Sequence, residues 1–339
     1  MVKKIAVIGT GAFGYALALL LAKTHAQMQV YAYDVVEEVI KTLQETKHHP
    51  YFHQDCEIPS NLIPTSHKEE CLQNAEVIIL AVPAQYLRGA LESIKDIIPE
   101  GAILLNVSKA LEKDTNKRMS EVIKESLGTD NPVVNPVATL SGGMLAGDVA
   151  HGLPVGADIG CIDESALQVL DDLFKLTTIH IETTTDIIGI ELAGAFKNLI
   201  AIGGGIIDGL EFGTSTKSFF ITQALREVEQ LAITLGAKGE TFHTASSAWM
   251  GDLMTTCFGN SRNRLFGELI GQGNTVDEGL KILQDQKKHA EGYVTLKLVY
   301  ELLQNHKLKS GMVGLLYDVV FNNASAKKEF SHMSLFKTE

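Results

Sequence analysis

The stretch Ile5-Ala6-Val7-Ile8, followed at once by Gly9-Thr10-Gly11-Ala12-Phe13-Gly14, constrains the fold more than any other part of the chain. Four consecutive apolar residues suit a parallel strand covered on both faces, and Tyr15 to Lys23 continues as a helical pattern. In a strand, GxGxxG, helix unit the glycines permit a tight turn and close backbone approach, and the helix N-terminus offers free N–H groups to a pyrophosphate. The next strand, Gln29 to Tyr33, ends in Asp34, and 34 − 14 = 20 residues separate that acid from the last glycine. A carboxylate there accepts from adenosine ribose hydroxyls and repels a 2'-phosphate, so the pattern favours NAD over NADP. The plainer reading is a glycine-rich turn of an unrelated α/β domain.

The α/β rhythm continues through Glu76 to Val82, closed by Pro83, and Ala102 to Val107, closed by Ser108-Lys109. Val137 to Leu140 precedes Ser141-Gly142-Gly143, and Val155 to Ile162, a helical Glu164 to Leu176 and Ile179 to Ile181 follow. In doubly wound sheets ligands sit outside the carboxyl ends of the strands, so Pro83, Ala84 and Gln85 are expected to line the crevice. Lys109 is expected to face it, unless it is a solvated loop lysine.

Thr183-Thr184-Thr185-Asp186 can cap a helix, and beyond it the strand signals disappear. Phe220, Ala224, Leu225, Val228, Leu231, Ala232 and Leu235 recur at helical spacing. Thr275 to Glu278 reads as a capping box, and Tyr293, Leu296, Val299, Tyr300 and Leu303 trace another apolar face. At 339 residues two domains are expected. The reading is an α/β Rossmann-type doubly wound sheet over residues 1–185, binding NAD, followed by an all-α substrate domain over 186–339.

Within the helical half, Glu191 to Leu210 is almost wholly apolar or small, with Glu191, Lys197 and Asp208 its only charges. It reads as a buried helix. A buried lysine able to share or give a proton near neutral pH is a candidate general acid or base. Otherwise Lys197 snorkels to the surface or pairs with Glu191 or Asp208. Gly251 to Arg264 concentrates hydroxyls, amides, a carboxylate and two guanidinium groups, which suits a phosphate or carboxylate pocket, or else a polar loop and cap.

Lysine and arginine total 29 against 41 acids, a net charge of −12, and no basic cluster offsets it. Nucleic acid is therefore not an expected partner. Cys56, Cys71, Cys161 and Cys257 show no metal-ligand spacing, so no metal is expected and the thiols fit a reducing cytoplasm. No apolar run is expected to be long enough to span a membrane. Ser325 to Glu339 reads as a polar, mobile tail.

With these residues on the page, the chain resembles the NAD(P)-dependent glycerol-3-phosphate dehydrogenases of the bacterial type. The resemblance rests on GTGAFGYALA, HPYFHQDCEIPSNLIPT, AVPAQYLR, NVSKALE, LSGGMLAGDVAHGLP, ELAGAFKNLIAIGGGIIDGLEFG, GDLMTTCFGNSRNRLFG and AEGYVT. It implies that Lys197 is the proton donor to the carbonyl oxygen of dihydroxyacetone phosphate and the base in reverse, with Asp252 pairing it. Lys109 and Asn198 would hold substrate oxygens, and Ser261, Arg262, Asn263 and Thr256 would grip the phosphate, with Ser141 and Gly142 also at the substrate. Gly9, Gly11, Ala12, Phe13, Gly14, Asp34, Pro83, Lys109, Ala146, Arg262 and Glu291 would contact the cofactor, NAD before NADP. A homodimer formed through the helical domain, feeding phospholipid synthesis, is also implied.

Several positions depart from the family's pattern. Gly143, Met144 and Leu145 stand where LSGPSFA is usual, Thr214-Ser215 replace an Asp-Asn pair, and Gln223 replaces an arginine. Ser246 to Met250 replaces a glycine-rich lead, and Asp34 stands where bacterial members often have arginine. Two other functions stay open on this reading: a reductase of another 2-keto compound, as in ketopantoate and opine reductases, and a catalytically silent NAD-binding regulator.

Overall fold

A computed structural model describes residues 2–113, 115–128, 134–243, 246–286 and 288–335. The chain divides into two compact units, Met1–Glu191 and Leu192–Glu339. The division expected after residue 185 stands 191 − 185 = 6 residues ahead of this one.

The first unit is built on eight strands, β1 Lys4–Ile8, β2 Gln29–Tyr33, β3 Leu62–Thr65, β4 Val77–Leu80, β5 Ile103–Asn106, β6 Val137–Ser141, β7 Val155–Cys161 and β8 Ile179–Thr184. They form one sheet in the order β3-β2-β1-β4-β5-β6-β7-β8. All neighbours are parallel except β6 and β7. The connections reverse direction between β1 and β4, so the switch point of a doubly wound sheet lies at their carboxyl ends.

Seven helices cover the sheet: α1 Ala12–Thr24, α2 Glu37–Thr46, α3 Lys68–Leu72, α4 Ala84–Ile94, α5 Met119–Leu127, α6 Ala146–Ala150 and α7 Glu164–Phe174. Ile5 and Val7 point into the core shared with α1, α2, α6 and α7, while Ala6 and Ile8 point into the core shared with α3, α4 and α5. Burial on both faces is why the strands read as unbroken apolar runs instead of alternating ones. Strand β3 escaped the sequence reading because it is short and contains Pro64. It pairs with β2 alone, and an edge is where a strand tolerates a proline that cannot donate.

Helix α8, Ile187–Gly209, opens in the first unit and runs on through the second. Asp186 caps it, its side chain accepting from Gly189 N at 2.9 Å. Of the threonines expected to join that cap, Thr183 and Thr184 instead finish β8. By length and hydropathy α8 could cross a membrane, which corrects the expectation that no run is long enough, but 94% of its apolar window is buried. Its apolar residues are the core of a folded unit.

The described residues of the second unit form helices only: α9 Thr214–Thr234, α10 Gly239–His243, α11 Asp252–Phe258, α12 Arg262–Gly271, α13 Val276–Asp285, α14 Glu291–Asn305, α15 Gly311–Phe321 and α16 Ala326–His332. Thr275 makes the expected capping box with Glu278 at the start of α13. Glu227 of α9 is buried and accepts from Met312 N and Val313 N at the start of α15, 2.8 and 2.9 Å. The polar tail expected from Ser325 is instead α16 with Phe330 buried, and Met333 after it is buried as well. Residues 336–339 lie outside the described residues.

Helices α8 and α12 touch backbone to backbone. A Cβ on Gly205 would lie 2.0 Å from Arg264 O, and one on Gly267 would lie 1.9 Å from Ile202 O. Carbonyl oxygens cannot swing aside as a side-chain tip can. Gly267→Ala is therefore expected to destabilise the second unit by about 2–3 kcal/mol, seen as a lower urea midpoint. An unchanged midpoint would refute the close approach.

Candidate active site

The first unit places the glycine loop at the end of β1. Gly9 has φ +99°, and a Cβ there would lie 2.7 Å from Ala81 O. A Cβ on Gly14 would strike Gly9 O at 2.2 Å, which holds α1 close to the strand, whereas nothing lies within 4 Å of the corresponding point on Gly11. Gly11 is the N-cap of α1 and brings no side-chain cap, so the first-turn N–H groups are offered to a ligand. Ala12 and Phe13 open α1, with Phe13 partly buried against the core.

Asp34 does more than its position announced. Its Oδ2 accepts from Thr10 N and Thr10 Oγ1, both at 2.7 Å, and its Oδ1 accepts from Val36 N at 3.0 Å. Two histidines brace the same loop: His49 Nε2 donates to Thr10 O and His53 Nε2 donates to Ala12 O, each at 3.0 Å. His49 Nδ1 accepts from Tyr51 N and Phe52 N, which fixes that tautomer. The roles of Thr10, His49 and His53 were missed in the sequence: Thr10 stands inside the glycine loop, and the HPYFH segment was the only signal for the two histidines.

Pro83 is the exposed N-cap of α4, followed by buried Ala84 and exposed Gln85. After β5, Asn106 and Ser108 form a side-chain-closed turn, and Ser108 Oγ donates to Val82 O. That turn presents Lys109, whose Nζ donates to Gly142 O at 2.5 Å. Ser141 is buried at the end of β6, and Gly142 is pressed against β7, where a Cβ would sit 2.4 Å from Gly156 O. Ala146 begins α6, Met144 is buried and Leu145 is exposed.

In the second unit Lys197 and Asp252 are 7% and 2% exposed. Lys197 Nζ donates to Asp252 Oδ1 at 2.5 Å and to Thr256 Oγ1 at 2.9 Å. Thr256 Oγ1 in turn donates to Asp252 O at 2.6 Å. The partners that the plainer reading offered are engaged elsewhere. Glu191 accepts from Ser120 N at 2.7 Å and from Arg118 Nη1 at 3.0 Å, within the first unit. Asp208 pairs with Lys217 at 2.6 Å and Arg264 at 3.2 Å, a cluster the sequence did not single out.

Asp252 owes its place to a π-helical turn over Ser247–Gly251, started by Ser246 Oγ accepting from Trp249 N at 3.1 Å. Such turns are rare and gather at functional sites. Trp249 is buried and packs edge-on to Phe242 at 4.9 Å. Ser246 to Met250 thus fills core where the family pattern has glycines. Thr214 and Ser215 begin α9 after Gly213 at φ +84°. Burial pushes the Cys257 thiol up to about 12, so at neutral pH it is a packing group and no nucleophile.

Asn198 Oδ1 accepts from Asn263 Nδ2 at 3.0 Å, and Asn263 Oδ1 accepts from Gly292 N at 2.9 Å. Ser261 caps α12 by accepting from Arg264 N at 3.0 Å. Arg262 is its first residue, with Nη2 3.8 Å from Glu291 Oε1 and side chains 51% and 45% exposed. This weak pairing leaves the guanidinium available to an anion. The second unit thus holds two hydrogen-bonded groups, Lys197 with Asp252 and Thr256 and Asn198 with Asn263, and a helix N-terminus bearing Ser261 and Arg262.

Comparison with known proteins bears on both units. The profile for the NAD-dependent glycerol-3-phosphate dehydrogenase N-terminus matches residues 4–167, and that for the C-terminus matches 186–331. The glycerol-3-phosphate dehydrogenase [NAD(P)+] of Fusobacterium nucleatum is 33% identical, covering 98% of this chain and 96% of that protein. That of a Thermoanaerobacter species is 35% identical over 94% and 92%. The crystal structure of the Coxiella burnetii glycerol-3-phosphate dehydrogenase superposes with a TM-score of 0.85 at 26% identity, over 99% of both chains.

The buried ion pair has a measurable consequence. Asp252→Asn removes the negative charge facing the Lys197 ammonium and is expected to cost about 3 kcal/mol of stability, read from the thermal midpoint. A variant as stable as the parent would show that the charge pair is not what accommodates Lys197.

Proposed function

The chain belongs to the NAD-dependent glycerol-3-phosphate dehydrogenase family, and on that footing we propose that it interconverts dihydroxyacetone phosphate and sn-glycerol 3-phosphate with a nicotinamide dinucleotide. The observation that carries this reading is the buried Lys197 ammonium, held at 2.5 Å by Asp252 and 2.9 Å by Thr256.

The glycine loop fits a dinucleotide. Cβ atoms would collide at Gly9 and Gly14 but meet open space at Gly11, where the amides of α1 suit a pyrophosphate. Gly9, Gly11, Ala12, Phe13, Gly14 and Pro83 are the contacts we assign, with Ala146, Lys109, Arg262 and Glu291 further candidates. When bound, the reduced cofactor supplies the hydride. Asp34 keeps one acceptor position on Oδ1 for a ribose hydroxyl and repels a 2'-phosphate, so NAD is the assigned cofactor.

Lys197 gives its proton to the substrate carbonyl oxygen as that oxygen gains negative charge, and takes it back from the alcohol in reverse. Asp252 and Thr256 keep the ammonium aimed, so its hydrogen bond strengthens as the alkoxide develops. Asn198, ordered by Asn263, donates to a substrate oxygen. Ser261, Arg262 and Asn263 at the start of α12 form the phosphate grip, since a guanidinium and a helix N-terminus both favour a dianion. In a chain of net charge −12, such local cations must capture an anionic substrate. Lys109, Ser141 and Gly142 are assigned to substrate oxygens from the first unit.

We further assign a homodimer, supported by exposed Met254 and Phe258 on α11 and Val294 on α14, and a reducing cytoplasm, supported by four unpaired cysteines. A role in supplying the glycerol phosphate backbone of phospholipids follows from the product.

Loss of NADH absorbance tests the reading. Dihydroxyacetone phosphate is the expected substrate, in preference to dihydroxyacetone, ketopantoate or pyruvate, and Lys197→Ala is expected to lower kcat by about 10²–10⁴-fold. Turnover of an unphosphorylated ketone instead, or NADH binding with no turnover, would overturn it. With NADPH, kcat/KM is expected to fall at least about tenfold, and comparable values would remove Asp34 as the discriminator.

A further inference from the structure

The segment between α2 and β3 carries polar groups that neither the cofactor loop nor the Lys197 site uses. Cys56 N donates to His53 O at 2.9 Å, closing a tight turn in which His53 has φ +47°. Tyr15 Oη donates to Cys56 O at 3.3 Å and holds that turn against α1. His151, the C-cap just after α6, meets it with Nε2 2.7 Å from Asp55 Oδ2. The donor atoms of Asp55, Cys56 and His151 all lie within 4.8 Å of one another, the one such group of three among the described residues.

The ring of His151 is constrained in a telling way. Its Nδ1 lies 2.7 Å from Gly147 O, and a carbonyl has no hydrogen to give, so Nδ1 carries the proton of the neutral ring. The Nε2 lone pair then points at an anionic oxygen, and only a cation placed between them relieves that. A proton can serve, making the ring an imidazolium. A metal ion can serve as well, and two features favour a site shaped for one. An imidazole whose Nδ1–H is fixed by a backbone carbonyl is oriented as metal-bound histidines are. The buried Cys56 Sγ, 3.8 Å from Ala150 O, adds a soft donor that an ion pair has no use for.

We propose that Asp55 Oδ2, Cys56 Sγ and His151 Nε2 bind a transition-metal dication of borderline softness, Zn²⁺ by ligand type, with water as the fourth ligand. In tetrahedral coordination the nitrogen and oxygen would stand about 3.3 Å apart. The Asp55 and His151 side chains, 67% and 45% exposed, are free to open from 2.7 Å by that amount. Asp55 raises the affinity of His151 for a proton, and burial pushes the Cys56 thiol up. Asp55, Cys56, His53 and Lys23 are the titratable groups around His151, with Lys23 opposing the cation. Because His49 and His53 in the same segment brace the glycine loop, a bound ion ties the end of α6 to the cofactor cradle.

The test is titration of the metal-stripped full chain with Co²⁺, followed by optical absorption. A thiolate-to-cobalt charge-transfer band saturating at one ion per chain and abolished by Zn²⁺ is expected. Cys56→Ser should remove the band, and His151→Gln and the exposed-site variant Asp55→Asn should each weaken binding by about tenfold or more. A cooperative thermal transition checks that each variant folds, and Asp55→Asn keeps the test decisive should Cys56→Ser not fold. No binding, binding without the thiolate band, or undiminished binding in a folded variant would overturn the proposal.

Discussion

The second unit depends on how closely two helices can approach. Gly205 and Gly209 on α8 and Gly267 and Gly271 on α12 leave no room for a Cβ, the nearest carbonyl oxygens lying 1.9 to 2.3 Å from where it would be. Backbones this near have almost no freedom to slide, so the contact fixes the register of everything along both stripes. On α8, Asn198 lies seven residues before Gly205, and on α12, Asn263 lies four before Gly267. Those spacings return to the same helix face. The glycine contact and the Asn198 to Asn263 hydrogen bond are thus two parts of one seam, extended by Gly292, where a Cβ would lie 2.6 Å from Asn198 O. Small residues in this seam are what allow amide groups to be placed to within hydrogen-bond tolerance.

A second constraint is charge. Helix α8 carries three charged groups in an otherwise apolar sequence, and each buried one needs a partner. Glu191 and Asp208 find cations and donors of their own, so Lys197 is left for α11 to answer. The π-turn ahead of Asp252 sets the phase of that helix. Asp252 and Thr256, four residues apart, then face Lys197 together. The carboxylate and the hydroxyl give the buried ammonium the partners that its burial requires.

Much of this was legible in the sequence, for reasons that differ between the two units. The strand, glycine loop and helix of the first unit are local in sequence, so Gly9 to Gly14 and Asp34 could be read from spacing alone. Strand β3 was not legible, because Pro64 and mixed polarity at an edge imitate a loop. The tail at Ser325 was misread because, among its described residues, only Phe330 and Met333 are buried, too few for a periodic signal. In the second unit, local spacing showed a buried lysine but offered the wrong partners, since Asp252 lies 55 residues away. Only the resemblance joined them. The Asp55, Cys56 and His151 cluster was invisible for the same reason, two neighbours being completed by a residue 96 positions from Asp55.

Asp34 shows how far a motif can be trusted. Spacing marks it as the acid that selects a ribose hydroxyl over a phosphate, and nothing in its surroundings conflicts with that. Yet its carboxylate already accepts three hydrogen bonds, two from Thr10 and one from Val36. It is a fastener between the end of β2 and the glycine loop. His49 and His53 hold the same loop from the opposite side through the carbonyls of Thr10 and Ala12. The loop's backbone is thus pinned at Thr10 and Ala12 by side chains from two other segments, and a chain with arginine at this position would need another acceptor for Thr10. On the proposed reading, cofactor preference and loop rigidity are therefore linked through one carboxylate, and a change made to alter the first also alters the second.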